Sequence, residues 1–303
     1  MTITSKSKEQ FKECTSYRIV FKKGDFMYSN AVSFTYNNKS LSDFSHKMII
    51  GYIDKSEDSF GLDREIVSGS TTMNRNIYHA YNTKYSGKLG FQITLLHEDQ
   101  KRLTENEVSE VTRWLTSPKS YRKLEFYGCD GSKNDVVYYA IVTKVAPALA
   151  GGIAGLKIDF ECNAPYGFVE KESNLFDLTN KLETPNHNGS LVLDCGSDEL
   201  EQYVYPIIEV ESPELWTDLQ ITNHSDNNST MHLWDTKGNY EINCQHQVIK
   251  LNGKGIVLSN VFKMDTVQKL YWLRLVPGEN RIEITGRCKI KIKWLEPKKV
   301  GAF

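Results

Sequence analysis

Gly155-Leu156-Lys157-Ile158-Asp159-Phe160-Glu161-Cys162-Asn163-Ala164-Pro165-Tyr166 is the stretch whose reading decides the fold. Leu156, Ile158, Phe160 and Cys162 alternate with Lys157, Asp159 and Glu161, a period of two that predicts a half-buried β-strand. Pro165 has no N–H to offer a ladder, so the Asn-Ala-Pro-Tyr run must leave the sheet there. The strand ends one β-domain, and the chain exits toward another.

Immediately upstream, residues 147–152 form a small-residue connection from a long apolar and aromatic strand over 136–145. The run Gly151-Gly152-Ile153-Ala154-Gly155-Leu156-Lys157 invites a phosphate-loop reading. That loop needs Gly-Lys-Ser/Thr opening a helix, and here a strand follows. Leu124 to Tyr127 forms a further strand, and Asp130-Gly131 supplies a turn signal. Thr104-Glu105-Asn106-Glu107 is a capping box, with Val108, Val111 and Leu115 laying one apolar stripe behind it. Trp114 beside that stripe anchors the helix on the sheet, and Ser117-Pro118 stops it.

Further back, Leu89, Phe91, Ile93 and Leu95 alternate with polar residues as a strand. The run over 66–85 is polar and carries Tyr78, Tyr81 and Tyr85, a composition that fits an interaction arm or a wandering edge strand equally well. Met48 to Ile53 is an apolar run followed by a polar loop over 54–63. Val32 to Tyr36 alternates and stops at the turn pair Asn37-Asn38. Residues 1–26 are rich in Lys and Ser and form an extension ahead of a domain that begins at Met27.

Downstream, short strands recur at about ten-residue spacing: 191–193, 203–210, 219–221, 231–234, 240–242, 248–251, 281–284 and 289–294. Turns at Lys237-Gly238-Asn239, Asn252-Gly253 and Pro277-Gly278 separate them. Even spacing with turn punctuation predicts a β-sandwich or jelly roll. The sequence thus divides into an extension (1–26), a first domain (27–172), a polar linker (173–189) and a second domain (190–303).

The totals limit the function classes. At 303 residues, two domains are the natural expectation. A formal net charge of -1 lacks the basic excess of a nucleic-acid binder, so no specific nucleic-acid binding is expected. No apolar run reaches the roughly 20 residues of a membrane span, and the N-terminus has no apolar signal region. The 6 cysteines contain no CxxC pair and are expected as free thiols, with Cys162 and Cys244 in strand cores. No catalytic, metal-binding or cofactor-binding set emerges: a nucleophile elbow and a His-Glu-x-x-His are both missing.

The order of these parts resembles the distal tail proteins of long-tailed (siphovirus-type) phages and prophages. The resemblance rests on the Phe160-to-Tyr166 strand exit, the helix ending in Arg113-Trp114-Leu115, Tyr205-Pro206-Ile207-Ile208-Glu209, and Pro277-Gly278-Glu279-Asn280 before a late strand. It implies a mainly β protein: an N-terminal, ring-forming β-sandwich or barrel-like domain with one helix, then a galectin-like C-terminal β-sandwich. It further implies a hexameric ring at the tail tip or baseplate of the virion, made in the host bacterial cytoplasm. That ring would join the tail tube protein to the tail-tip protein and the receptor-binding proteins, with a central channel for DNA. The role is structural, with no catalysis and no cofactor. Phe34, Tyr78, Tyr81 and Tyr85 are the candidate ring-interface residues, because cyclic closure needs two different complementary patches.

A second reading is a carbohydrate-binding module or adhesin contacting host cell-surface glycans. His232, Trp234, Asp235 and Asn239, gathered around one expected hairpin, would supply its aromatic platform and polar groups. The His-x-Asn-Pro-Arg and Trp-x-x-Glu-x-Arg patterns of the lectin relatives are missing. A hydrolase comes last, since no carboxylate pair can be picked out of 38 Asp and Glu.

Overall fold

The computed structural model describes residues 31–44, 48–55, 64–69, 79–85, 87–99, 101–128, 130–179, 188–256 and 271–299. The extension over 1–26 and Tyr78 lie outside the described residues. The chain forms two compact units, one over residues 1–168 with 299–303 and one over 169–298.

The first unit contains β1 (Ala31–Tyr36), β2 (Lys39–Ser40), β3 (Met48–Lys55), β4 (Arg64–Gly69), β5 (His79–Tyr85), β6 (Gly90–His97), α1 (Glu105–Thr116), β7 (Arg122–Gly128), β8 (Lys133–Leu149) and β9 (Ile153–Cys162). Seven strands form one antiparallel sheet in the order β2-β1-β7-β8-β9-β6-β3. The sheet curls until β3 comes against β1, giving a barrel-like body. Asn37 and Asn38, both with positive φ, make the two-residue turn between β1 and β2, since a right-twisted hairpin favours left-handed turn residues.

In β9 the expected alternation is present: Leu156, Ile158, Phe160 and Cys162 are all buried. Gly155 sits where a Cβ would stand 2.3 Å from the Leu95 carbonyl oxygen, so only glycine lets β9 pair with β6 there. After Cys162 the chain leaves the ladder through Asn163 to Tyr166. β8 runs further than the sequence pattern implies, to Leu149, so the connection over 147–152 shrinks to the turn around Gly151 and Gly152. Uncharged small residues on an outer hairpin carry no periodicity, which is why the extent of the strand was hidden.

The Thr104 hydroxyl accepts from Glu107 N, and the Glu107 carboxylate accepts from Thr104 N, the reciprocal cap expected. Val111, Trp114 and Leu115 are buried, while Val108 stays half-exposed. Trp114 stacks on Phe34 at 5.6 Å, lies 5.0 Å from Phe44, and donates its indole N–H to Tyr36 O at 3.2 Å. The helix is thus pinned to β1 by both area and a directed bond. One ring-interface expectation is corrected here: Phe34 is 0% exposed, inside an aromatic core with Tyr36, Phe91, Phe126 and Phe160. A position in the outermost long strand says nothing of which face a ring takes, and the buried face won.

The second unit follows β10 (Gly167–Glu172) with β11 (Phe176–Asp177), β12 (Asn188–Cys195), β13 (Ile207–Asn223), β14 (Ser229–Asn243), β15 (Val248–Leu251), β16 (Lys254–Gly255), β17 (Gly278–Thr285) and β18 (Lys289–Lys298). Here the structure differs from the sequence pattern. The short strands expected over 203–210, 219–221, 231–234 and 240–242 merge into the long hairpin β13–β14. Its first half pairs Ile207 to Glu211 with β18 and with the end of β14, which in turn pairs β15. Its second half pairs Gln220 to Asn223 with β17, which carries β12.

One hairpin therefore serves two sheets, and register shifts between Ser212 and Leu219 make the corner. The inward face changes parity across it. Ile208, Val210, Tyr240 and Ile242 are buried on one side, and Leu219, Ile221, Met231 and Leu233 on the other. The expected turn at Lys237-Gly238-Asn239 is instead an irregularity inside β14, with Gly238 at φ +98 opposite Ser212. Asn252-Gly253 is a true two-residue hairpin turn, both residues having positive φ.

The linker expected over 173–189 is corrected over its first part. Ser173 N donates to Ile292 O, β11 pairs with β18, and Leu178 is 1% exposed in the second core. Phe176 and Leu178, the residues that pack into the second core here, stand in a short polar run, too few for a periodic signal.

Candidate functional site

On the outer face of β13–β14, His232 and Trp234 project opposite the buried Met231 and Leu233. Their ring centroids are 4.0 Å apart. Gln220 Nε2 lies 3.4 Å and Asp218 Oδ2 3.8 Å from His232 Nε2. Trp234 is half-buried on this outer face, outside the sandwich core. Asp235 is within β14, and its side chain lies outside the described residues. Asn239 stands beyond the corner, paired with Glu211, whereas His232 pairs with Gln220. The four residues expected around one turn therefore divide: His232 and Trp234 are in contact, and Asn239 lies beyond the corner.

A second cluster was not anticipated. Val204 and Leu275 exchange both backbone hydrogen bonds, at 2.9 and 2.7 Å, as an isolated antiparallel bridge. Both are buried, so their neighbours Tyr203, Tyr205 and Arg274 turn outward. Tyr203 is 42% and Tyr205 40% exposed. The Arg274 guanidinium lies 3.8 Å over the Tyr203 ring. It also donates from Nε and Nη2 to the two oxygens of Asp226, at 2.6 and 3.1 Å.

Asp226 sits in the β13–β14 turn with its side chain 1% exposed, and Ser229 Oγ donates to it at 2.8 Å. Burial pushes the Asp226 carboxyl up, but Arg274 and Ser229 outweigh it and hold the group below the usual carboxylate range. Asn223 and Asn280 complete the support: Asn223 Nδ2 donates to Arg274 O and to Asn280 Oδ1, both at 2.9 Å. Tyr203-Val204-Tyr205 was legible as an alternating strand, yet nothing in sequence joined it to Asp226 or Arg274.

In the first unit, β4 and β5 hydrogen-bond to each other as a two-stranded ribbon that pairs with no other described strand. Tyr81 and Tyr85 lie on β5; their side chains are outside the described residues. An open groove of about 540 Å³ runs along α1 past Val108, Thr112 and Ile153. It is broad and open to solvent, unlike the enclosed pocket a small ligand needs. Cys162, Cys195, Cys244 and Cys288 are buried free thiols, and burial pushes Cys162, Cys244 and Cys288 up to about 12. No metal-binding group of His, Cys, Asp and Glu occurs among the described residues, and none of their helices is long and apolar enough to cross a membrane.

These features define a two-unit antiparallel β protein, and comparisons with known proteins identify its relatives. A family profile for a phage tail protein N-terminal domain matches residues 29–164, and one for a phage tail C-terminal domain matches residues 166–294. The chain is a phage tail protein. The crystal structure of SPP1 Dit, described as a paradigm of the hub adsorption apparatus in Gram-positive-infecting phages, superposes with a TM-score of 0.56 at 12% identity. That match covers 88% of this chain and 99% of the other. A chain of the phage p2 baseplate in its activated conformation gives 0.50 at 10% identity, covering 87% and 97%. At these identities the likeness to the two hub and baseplate chains is one of fold. No curated protein matches the sequence.

Proposed function

We propose that this phage tail component is the distal hub of the tail, a non-enzymatic ring of six copies built from the first unit. The β4–β5 ribbon carries this reading. A two-stranded hairpin is marginal in water unless another surface covers it, and this one hydrogen-bonds to no other described strand. In a cyclic ring that surface is the neighbouring copy, with a different patch receiving the ribbon at each head-to-tail contact. Tyr81 and Tyr85, on one strand of the ribbon, are the interface residues of choice.

On this reading the ring joins the tail tube to the tail-tip protein, and the second unit faces the receptor-binding and baseplate proteins. It works in the virion after synthesis in the host cytoplasm. A formal net charge of -1 suits a channel through which DNA slides without sticking. Replacing residues 64–85 by a short Gly-Ser link and measuring mass in solution tests the arm. Loss of the ring with both units still folded is expected; an unchanged ring would refute it.

A further inference from the structure

We propose that Tyr203, Tyr205 and Arg274 form a binding site for a neutral saccharide on the outer surface of the second unit. The proposal stands apart from ring formation and from the His232–Trp234 pair. Its basis is a surface that is apolar, directional and electrically balanced at once.

The Val204–Leu275 bridge fixes the backbone from both sides, and antiparallel pairing sets Tyr205 across from Arg274. The two exposed phenol rings offer flat faces to the C–H face of a sugar ring and hydroxyls to its edge. Arg274 is held between them. Asp226 grips its Nε and Nη2, the Tyr203 ring covers one face, and 31% of the side chain stays open to solvent. A guanidinium has five N–H donors in a rigid fork, so those turned to solvent are aimed before any ligand arrives.

Charge selects the ligand class. The Arg274 cation is matched by the Asp226 carboxylate, so the site offers little net attraction to a phosphate or carboxylate polymer. Size argues the same way. Two tyrosines and one arginine match one or two sugar rings, whereas a standard protein interface engages about 20–30 residues on each side.

The test is saturation-transfer NMR of the intact chain with neutral hexose and N-acetylhexosamine oligosaccharides, with glycerol-phosphate oligomers as the anionic comparator. Transfer to at least one neutral oligosaccharide is expected. The double variant Tyr203→Ala, Tyr205→Ala should weaken it about tenfold or more. Both side chains lie outside the second core, so the variant should still melt cooperatively as a folded second unit. His232→Ala with Trp234→Ala should bind as the parent does, and Arg274→Lys should weaken binding by losing the planar fork. Binding unchanged in the double tyrosine variant would overturn the proposal. So would transfer confined to the glycerol-phosphate oligomers, transfer to none of the probes, or loss only in the His232–Trp234 variant.

Discussion

Truncation of Trp114 probes the joint on which the first unit depends. The side chain is 8% exposed, stacked on Phe34, against Phe44, and bonded to Tyr36 O at 3.2 Å. Trp114→Ala removes the ring and leaves a cavity among aromatics that cannot all collapse into it, for a loss of about 3–5 kcal/mol. Trp114→Phe keeps part of the stack and forfeits the indole N–H, leaving a buried carbonyl one partner short, for about 1–3 kcal/mol. Hydrogen exchange read by mass spectrometry separates the units. If local opening is the route to exchange, protection over α1 and β1 should fall about tenfold for each 1.4 kcal/mol, with β13 and β14 unchanged. Undiminished protection of α1 in Trp114→Ala would refute the anchoring role. Equal loss in both units would refute the local mechanism.

Other predictions concern single features. Gly155→Ala drives a methyl to 2.3 Å from Leu95 O and should break the β6–β9 register, seen as loss of soluble, cooperatively melting protein. The folded-state pKa of Asp226 is depressed, so its stabilisation is present above the ordinary aspartate value of about 3.9 and is lost as pH falls through the lower folded value. Acid titration by circular dichroism should therefore show Asp226→Asn less stable than the parent at neutral pH, with the gap closing in acid. Cys162, Cys244 and Cys288, buried and raised to about 12, should resist a thiol reagent at pH 8 until denaturant is added, as peptide mapping would show.

Local chemistry was the legible part of this fold. The Thr104–Glu107 cap, the Asn37-Asn38 and Asn252-Gly253 turns and the alternation from Leu156 to Cys162 each reflect forces acting within a few residues. What sequence hid was long-range. The parity change between Val210 and Leu219 breaks the period-two signal, so a continuous hairpin reads as separate strands. Leu178 reads as linker because its burial comes from Cys288 and β18, more than a hundred residues away. Phe34 reads as an edge residue because alternation names two faces without saying which the helix covers. The same limit hid the outer cluster: the distances from Asp226 to Arg274 and from Arg274 to Tyr203 exist only after the sandwich closes.

The most direct test of the central claim is the mass of the intact protein in solution by light scattering, with negative-stain images of the same sample. The account predicts rings of six copies, single or stacked in pairs, around an open hole. A monomer throughout the micromolar range, with no rings in the images, would contradict it.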